Sequence, residues 1–239
     1  MSKWKNFIFL SVMVLFLIIA GGLALRGPIM KYFIQLNVSA SQKSTTSSEE
    51  IKVNQKKTAT FDYAAVQSVS FEDILKSQMN KQSYPVIGDI SIPELQINLP
   101  IFKGVDPNAL MAGAGTLKEN QVMGQVNYTL ASHHIFDSFG YSGANLLFSP
   151  LMRAQKGQSV YITDLDKVYH YVIHDIQTVP ETKGDVILDE PGKKEITLVT
   201  CYDAQAQYRL VVKAQLKDVQ GYDEKSAELF SQEYRQNLW

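Results

Sequence analysis

The sequence predicts an all-β domain, a closed barrel or a sandwich, held behind an N-terminal membrane span. Three observations carry this. Seven short apolar runs of strand character alternate with turn residues from Tyr84 onward. Asn6–Leu25 runs for twenty residues without a charge. Cys201 is the only cysteine in 239 residues, which excludes a disulfide framework within the chain, a four-cysteine zinc site and a CxxC redox couple.

Taken in order, Asn6–Leu25 at about 1.5 Å per residue spans the roughly 30 Å of a bilayer core. It exceeds the apolar stretch of a cleavable signal peptide, although Ala20-Gly21-Gly22 keeps cleavage open. Lys3 and Lys5 before the span nearly balance Arg26 and Lys31 after it, so charge alone does not orient it. Between Ser39 and Thr60, 18 of 22 residues are Ser, Thr, Gln, Asn, Lys or Glu, and this composition predicts a flexible tether. Residues 61–80 show helix-like spacing at Ala65, Val69, Ile74 and Leu75. The strand runs are 86–93, 95–102, 127–135, 159–165, 167–176, 195–203 and 208–216, with short helical turns at 107–111 and 146–154. Seven or eight strands in one domain suit a barrel or a sandwich. A short amphipathic tail helix begins near Ser226.

The balance of 23 basic and 24 acidic residues, with no basic run, argues against nucleic acid as a partner, since that binding leans on phosphate neutralisation. Chemistry therefore rests on a few residues. Cys201 ends the run Glu195–Cys201, where Thr197, Val199 and Cys201 share one face. It fits either a buried small hydrophobe or a reactive thiol. If the last two strands form a hairpin around 202–207, Arg209 falls beside Cys201, where a guanidinium favours a thiolate and can donate to an oxyanion. An ordinary solvated arginine is the other reading. His170 and His174 lie four apart on a strand, about 13 Å, too far to share a metal. His133 and His134 follow the run Asn127–Ser132, and adjacent residues there point to opposite sides, so at most one faces a given site. A thiol, an imidazole and a guanidinium converging at strand ends would make a nucleophile, an acid/base and an anion stabiliser.

At these residues the chain resembles the class A sortases, membrane-anchored transpeptidases of Gram-positive bacteria. Thr197-Leu198-Val199-Thr200-Cys201 matches the signature T-L-x-T-C, Arg209 the arginine eight residues on, and Ala131-Ser132-His133 the motif A-[GS]-H. Gly88–Phe102 and Gly113–Leu117 are similar to the family's early strands. The resemblance implies an eight-stranded sortase-type β-barrel with short helices over 81–220. Residues 1–5 would then be a cytoplasmic tail, 6–25 a signal anchor, 26–80 a stalk and linker, and 221–239 a tail, with the barrel outside the cell. It also implies the reaction: Cys201 attacks the Thr–Gly carbonyl of an LPxTG sorting signal on a surface protein. The thioacyl intermediate then passes to the amine of a peptidoglycan precursor, lipid II with its cross-bridge. His133 would serve as acid/base and Arg209 as oxyanion stabiliser or backbone holder. Val105, Ala131, Ile187, Leu188 and Thr200 match substrate-binding positions.

The calcium-activated members carry several carboxylates between the GxGTL strand and the histidine. Here residues 118–125 hold one, Glu119, so no metal and no cofactor is expected. Two further readings stand beside the transpeptidase. One is a thiol peptidase, which shares the acyl-enzyme and differs only in what resolves it. The other is a non-enzymatic, membrane-tethered binding module.

Overall fold

The computed structural model describes residues 3–44, 47–62, 69, 71–79, 84–136 and 145–231. Eight strands close a barrel in the order β1-β2-β3-β4-β7-β8-β6-β5. They are β1 (Val86–Ile92), β2 (Ile97–Phe102), β3 (Ala114–Thr116), β4 (Asn127–Ala131), β5 (Ser159–Thr163), β6 (Lys167–Pro180), β7 (Glu195–Cys201) and β8 (Tyr208–Gly221). Most neighbours are antiparallel, but β2–β3 and β4–β7 run parallel. Parallel neighbours need a long crossover. The β4–β7 crossover carries β5 and β6, and so brings Ala131 opposite Val199 although they are far apart in sequence.

The seven strand runs all become strands. β3, only three residues long, is the eighth and fits the Gly113–Leu117 stretch. Glycine lets it approach: a Cβ on Gly115 would come within 2.2 Å of the Gly104 carbonyl oxygen. Alternation fills the barrel with Ile90, Ile92, Leu99, Ile101, Leu130, Ile162, Tyr171, Leu198 and Val212. β4 ends at Ala131, short of the expected run to 135, and β6 and β8 run to fourteen residues each, longer than their apolar patterns suggest. The turns at 107–111 and 146–154 appear as a short helix at Pro107–Leu110 and a 3-10 turn at Ser149–Arg153. His170 stacks on Tyr161 with ring centroids 4.6 Å apart, and His174 Nε2 lies 2.9 Å from the buried Glu195 carboxylate. Each histidine thus has a separate structural partner.

Among the described residues, five α-helices accompany the barrel: α1 (Lys3–Gln42), α2 (Ser48–Asn54), α3 (Phe71–Met79), α4 (Pro107–Leu110) and α5 (Glu224–Ser231). α1 is long and apolar enough to cross a membrane. It corrects the reading of 39–60 as a flexible tether. The helix continues through Gln42, and Ile34 and Val38, one turn apart, bury against the barrel core with Ile74 of α3. α2 follows: the Ser47 hydroxyl accepts from Glu50 N, Ile51 is buried, and Asn54 Nδ2 donates to the Val86 carbonyl at 2.9 Å. Composition predicts a tether because it averages over the segment, whereas one buried apolar residue, Ile51, and one buried amide, Asn54, suffice to dock α2. The helix expected in 61–80 begins at Phe71, and Ala65 lies outside the described residues. The tail helix ends its described part at Ser231.

Candidate active site

Cys201 is the last residue of β7 and pairs in register with Arg209, the second residue of β8. On the same face, Val199 pairs with Val211 across β8 and with Ala131 across β4. Ala131 and Val199 of this set line a groove of about 440 Å³ on the outside of the barrel, together with Leu117, Val179, Val186 and Ile187 on its apolar side. Arg209 and Glu181 stand at its end.

The parallel β4 reaches the same end. Beyond Ala131 the pairing continues: Ser132 N donates to the Val199 carbonyl at 3.3 Å, and the Thr200 hydroxyl donates to the Ser132 carbonyl at 2.8 Å. His133 therefore leaves β4 alongside the end of β7. The two histidines take different partners. His134 Nδ1 is 2.8 Å from the Cys201 carbonyl, an acceptor only, so this nitrogen donates and fixes the backbone of the cysteine. Its ring also stacks on Phe136 at 4.0 Å. His133 is 2% exposed, and its buried Nε2 has no hydrogen-bond partner among the described residues. A hydrogen bond from the ring to the Pro107 carbonyl engages the other side. That arrangement leaves Nε2 as the lone-pair nitrogen, free for a proton.

Burial sets the resting charges. It pushes the His133 pKa down to about 4, against the weaker pull of the Pro107 carbonyl and of Asp73 on α3, so the ring is neutral at pH 7. Burial also pushes the Cys201 thiol up. The Arg209 charge works against this, while Asp203 and Glu181 add to it. Arg209 is held by the Ala206 carbonyl and by Glu181, 3.3 Å from its Nη2.

The other sequence candidates divide. Ala131 and Ile187 line the groove. Val105 is fully buried beneath Ala131 with Leu110, so it supports the wall without facing the groove. Thr200 is buried with its hydroxyl turned to Ser132, so it ties β7 to β4. Leu188 does not line the groove: its side chain is 61% exposed. The pair of aliphatics splits because a 3-10 turn over Gly184–Ile187 turns only Val186 and Ile187 inward. Leu117, Val179, Val186 and Glu181 were not singled out in sequence. Val199 was legible there, sharing Cys201's face by alternation. The others come from distant strands and loops that only closure brings in.

Fold and site together define a closed β-barrel with a thiol, an imidazole and a guanidinium at the ends of β7, β4 and β8. Residues 90–217 match the family model described as Sortase domain. Sortase A of Streptococcus agalactiae serotype III is 44% identical over 235 residues, 97% of this chain and 94% of that protein. Sortase A of Listeria monocytogenes serovar 1/2a is 37% identical over 186 residues, 77% of this chain and 81% of that protein. The structure of Listeria monocytogenes sortase A matches with a TM-score of 0.56 at 35% identity, covering 61% of this chain and 97% of that one. Sortase C-3 from Streptococcus pneumoniae, 18% identical, shares the fold at a TM-score of 0.58 over 82% of this chain and 97% of that one. The chain belongs to the sortase family.

Proposed function

We propose that this sortase is a membrane-anchored cysteine transpeptidase that cleaves LPxTG-type sorting signals between Thr and Gly. The acyl group then passes through a Cys201 thioester to the amine of a lipid II cross-bridge. The observation that carries this is the register that sets Cys201 opposite Arg209, with the Ser132–His134 segment bonded along the end of β7. At rest the thiol keeps its proton and the imidazole is neutral. As Sγ attacks the Thr carbonyl carbon, His133 takes the thiol proton. Collapse of the tetrahedral adduct breaks the Thr–Gly bond, and His133 gives that proton to the leaving glycine amine. The incoming amine attacks the thioester and loses a proton to His133, which returns it to sulfur. Arg209 would leave Ala206 and Glu181 to donate to the oxyanion or to hold the signal's backbone. The apolar groove suits the Leu-Pro side chains, with Ala131 and Ile187 in its wall. Residues 6–25 would anchor the chain with the barrel outside the cell: Phe7, Phe9, Phe16 and Leu17 of α1 are more than 60% exposed, surface suited to lipid.

The test uses the full-length protein in detergent micelles with an LPxTG peptide, with and without an oligoglycine or oligoalanine amine, read by mass spectrometry. A Thr–amine product supports the transpeptidase. Cleavage with water alone across several amines would overturn it in favour of a peptidase, and no acyl adduct would leave a barrel without this activity. In the same assay, Arg209→Ala is expected to lower kcat/KM by about 10²–10³-fold, mostly through kcat. A change below threefold would remove Arg209 from the transition state.

We also propose that catalysis needs no calcium. Lys118, between β3 and β4, pairs with Asp189 in the loop between β6 and β7, and Asn127 N donates to the same carboxylate. Lys193 and Lys213 pair with Glu190. Asp189 and Glu190 thus already have cations, and the Lys118 pair holds the Asp189 pKa below the usual carboxylate range. Millimolar calcium is expected to leave the melting temperature unchanged within a degree. Stabilisation by several degrees would refute this.

A further inference from the structure

The groove wall that carries Ile187 belongs to the loop between β6 and β7, and one buried side chain grips that loop from the opposite strand. Asn127, the first residue of β4, is 2% exposed. Its Nδ2 donates to the Leu188 carbonyl at 3.1 Å and lies 3.4 Å from the Val186 carbonyl. These two carbonyls flank Ile187. Its Oδ1 accepts from the Thr197 hydroxyl of β7 at 2.8 Å, so the amide is oriented with its donors toward the loop. Its backbone N–H reaches Asp189 Oδ1 at 3.3 Å. One residue thus holds Val186, Leu188 and Asp189 around Ile187, while Ile187 packs with Val105, Leu110, Leu117 and Ala131 on one side and Val179, Val186 and Val211 on the other.

We propose that Asn127 is a positioning residue that sets the width of the acyl-donor groove by straddling Ile187, and so governs selection of the apolar side chain bound there. The proposal rests on the transpeptidase reading for its substrate, but its geometry does not. Turning the loop by one residue would replace Ile187 with Leu188, whose side chain now lies in solvent. The Asn127 donors oppose that slip because the carbonyls they hold would lose a partner within a buried setting. Thr197 prevents the amide from flipping, since a flipped amide would turn its oxygen toward two carbonyls.

The test compares full-length wild type, Asn127→Asp and Thr197→Val in detergent micelles. Asn127→Asp keeps an acceptor for Thr197 and removes both donors. It is expected to raise KM for an LPxTG peptide about tenfold with kcat within twofold, and to weaken the discrimination among peptides with Leu, Ile or Phe at the first position. Thr197→Val, which keeps the donors but releases their orientation, should move the same quantities less. Amide hydrogen exchange should quicken at residues 186–189 while β4 and β7 keep their protection. Unchanged KM and exchange, or a loss confined to kcat, would overturn the proposal. Faster exchange throughout the barrel with a lowered unfolding midpoint would also overturn it, making Asn127 a general core residue. Exchange needs no turnover, so a wild type that fails to process the peptide would refute the transpeptidase reading, and the clamp would still be judged on 186–189.

Discussion

Full-length protein carrying Cys201→Ala is expected to form neither thioester nor ligated product, with turnover below detection and the sorting peptide still bound. The reason is chemical. The transpeptidase route passes through a covalent bond to sulfur, and no other thiol exists in the chain to replace it. The fold should tolerate the change, because Cys201 ends β7 and its main-chain pairing with Arg209 does not use the side chain. Intact-mass analysis after incubation with the LPxTG peptide reads the adduct directly, and peptide fluorescence anisotropy reads binding. Residual ligation above one per cent of wild type would place the nucleophile elsewhere. Loss of binding together with loss of turnover would mean that the cysteine shapes the groove as well.

His133→Asn is expected to lower kcat/KM by about 10²–10⁴-fold, the range a positioned acid/base supplies. The same variant makes a second, independent prediction about acid stability. The folded His133 pKa is pushed down to about 4 by burial, whereas an unfolded histidine titrates near 6.5. The unfolded chain therefore binds more protons in that window. Stability from the neutral ring is fully present above pH 6.5 and is lost as pH falls toward 4, costing about 2 kcal/mol between pH 7 and 5. Asp89 on β1, its carboxyl pushed up to about 7 by burial, works in the opposite direction, so the wild-type curve alone does not isolate the histidine. The difference between wild type and His133→Asn does. Urea midpoints at pH 7 and pH 5 should converge by that amount in the variant. Parallel curves would mean that the ring is already solvated, and a near-normal rate would assign the acid/base to another group, with His134 the first to test.

Much of this was legible beforehand, and the limits have physical causes. The strand period is two, so the sequence already placed Val199 on the face of Cys201, and an eight-residue spacing across a turn already put Arg209 opposite it. The T-L-x-T-C and A-S-H motifs singled out Cys201 and His133 by resemblance. His134 bonds the cysteine's carbonyl, and the buried Nε2 of His133 has no partner among the described residues. A span of uncharged residues over 6–25 fixed the apolar helix, because length and hydropathy need no tertiary partner.

What the tertiary structure alone decided lies where local period stops carrying information. The parallel pairing of β4 with β7 joins residues separated by two intervening strands, and no local pattern encodes which strands become neighbours. Ile187 and Leu188 are equivalent as adjacent aliphatics, and only the 3-10 turn, held by Asn127 from β4, turns one inward and leaves the other in solvent. The polar segment 39–60 reads as a tether by composition, yet within it Ile51 is buried and Asn54 bonds the Val86 carbonyl. Side-chain alternation along each strand is a short-range property of the backbone, so sequence determines it. The partner across the sheet, the turn of a loop and the docking of a helix are long-range, and they exist only once the barrel has closed.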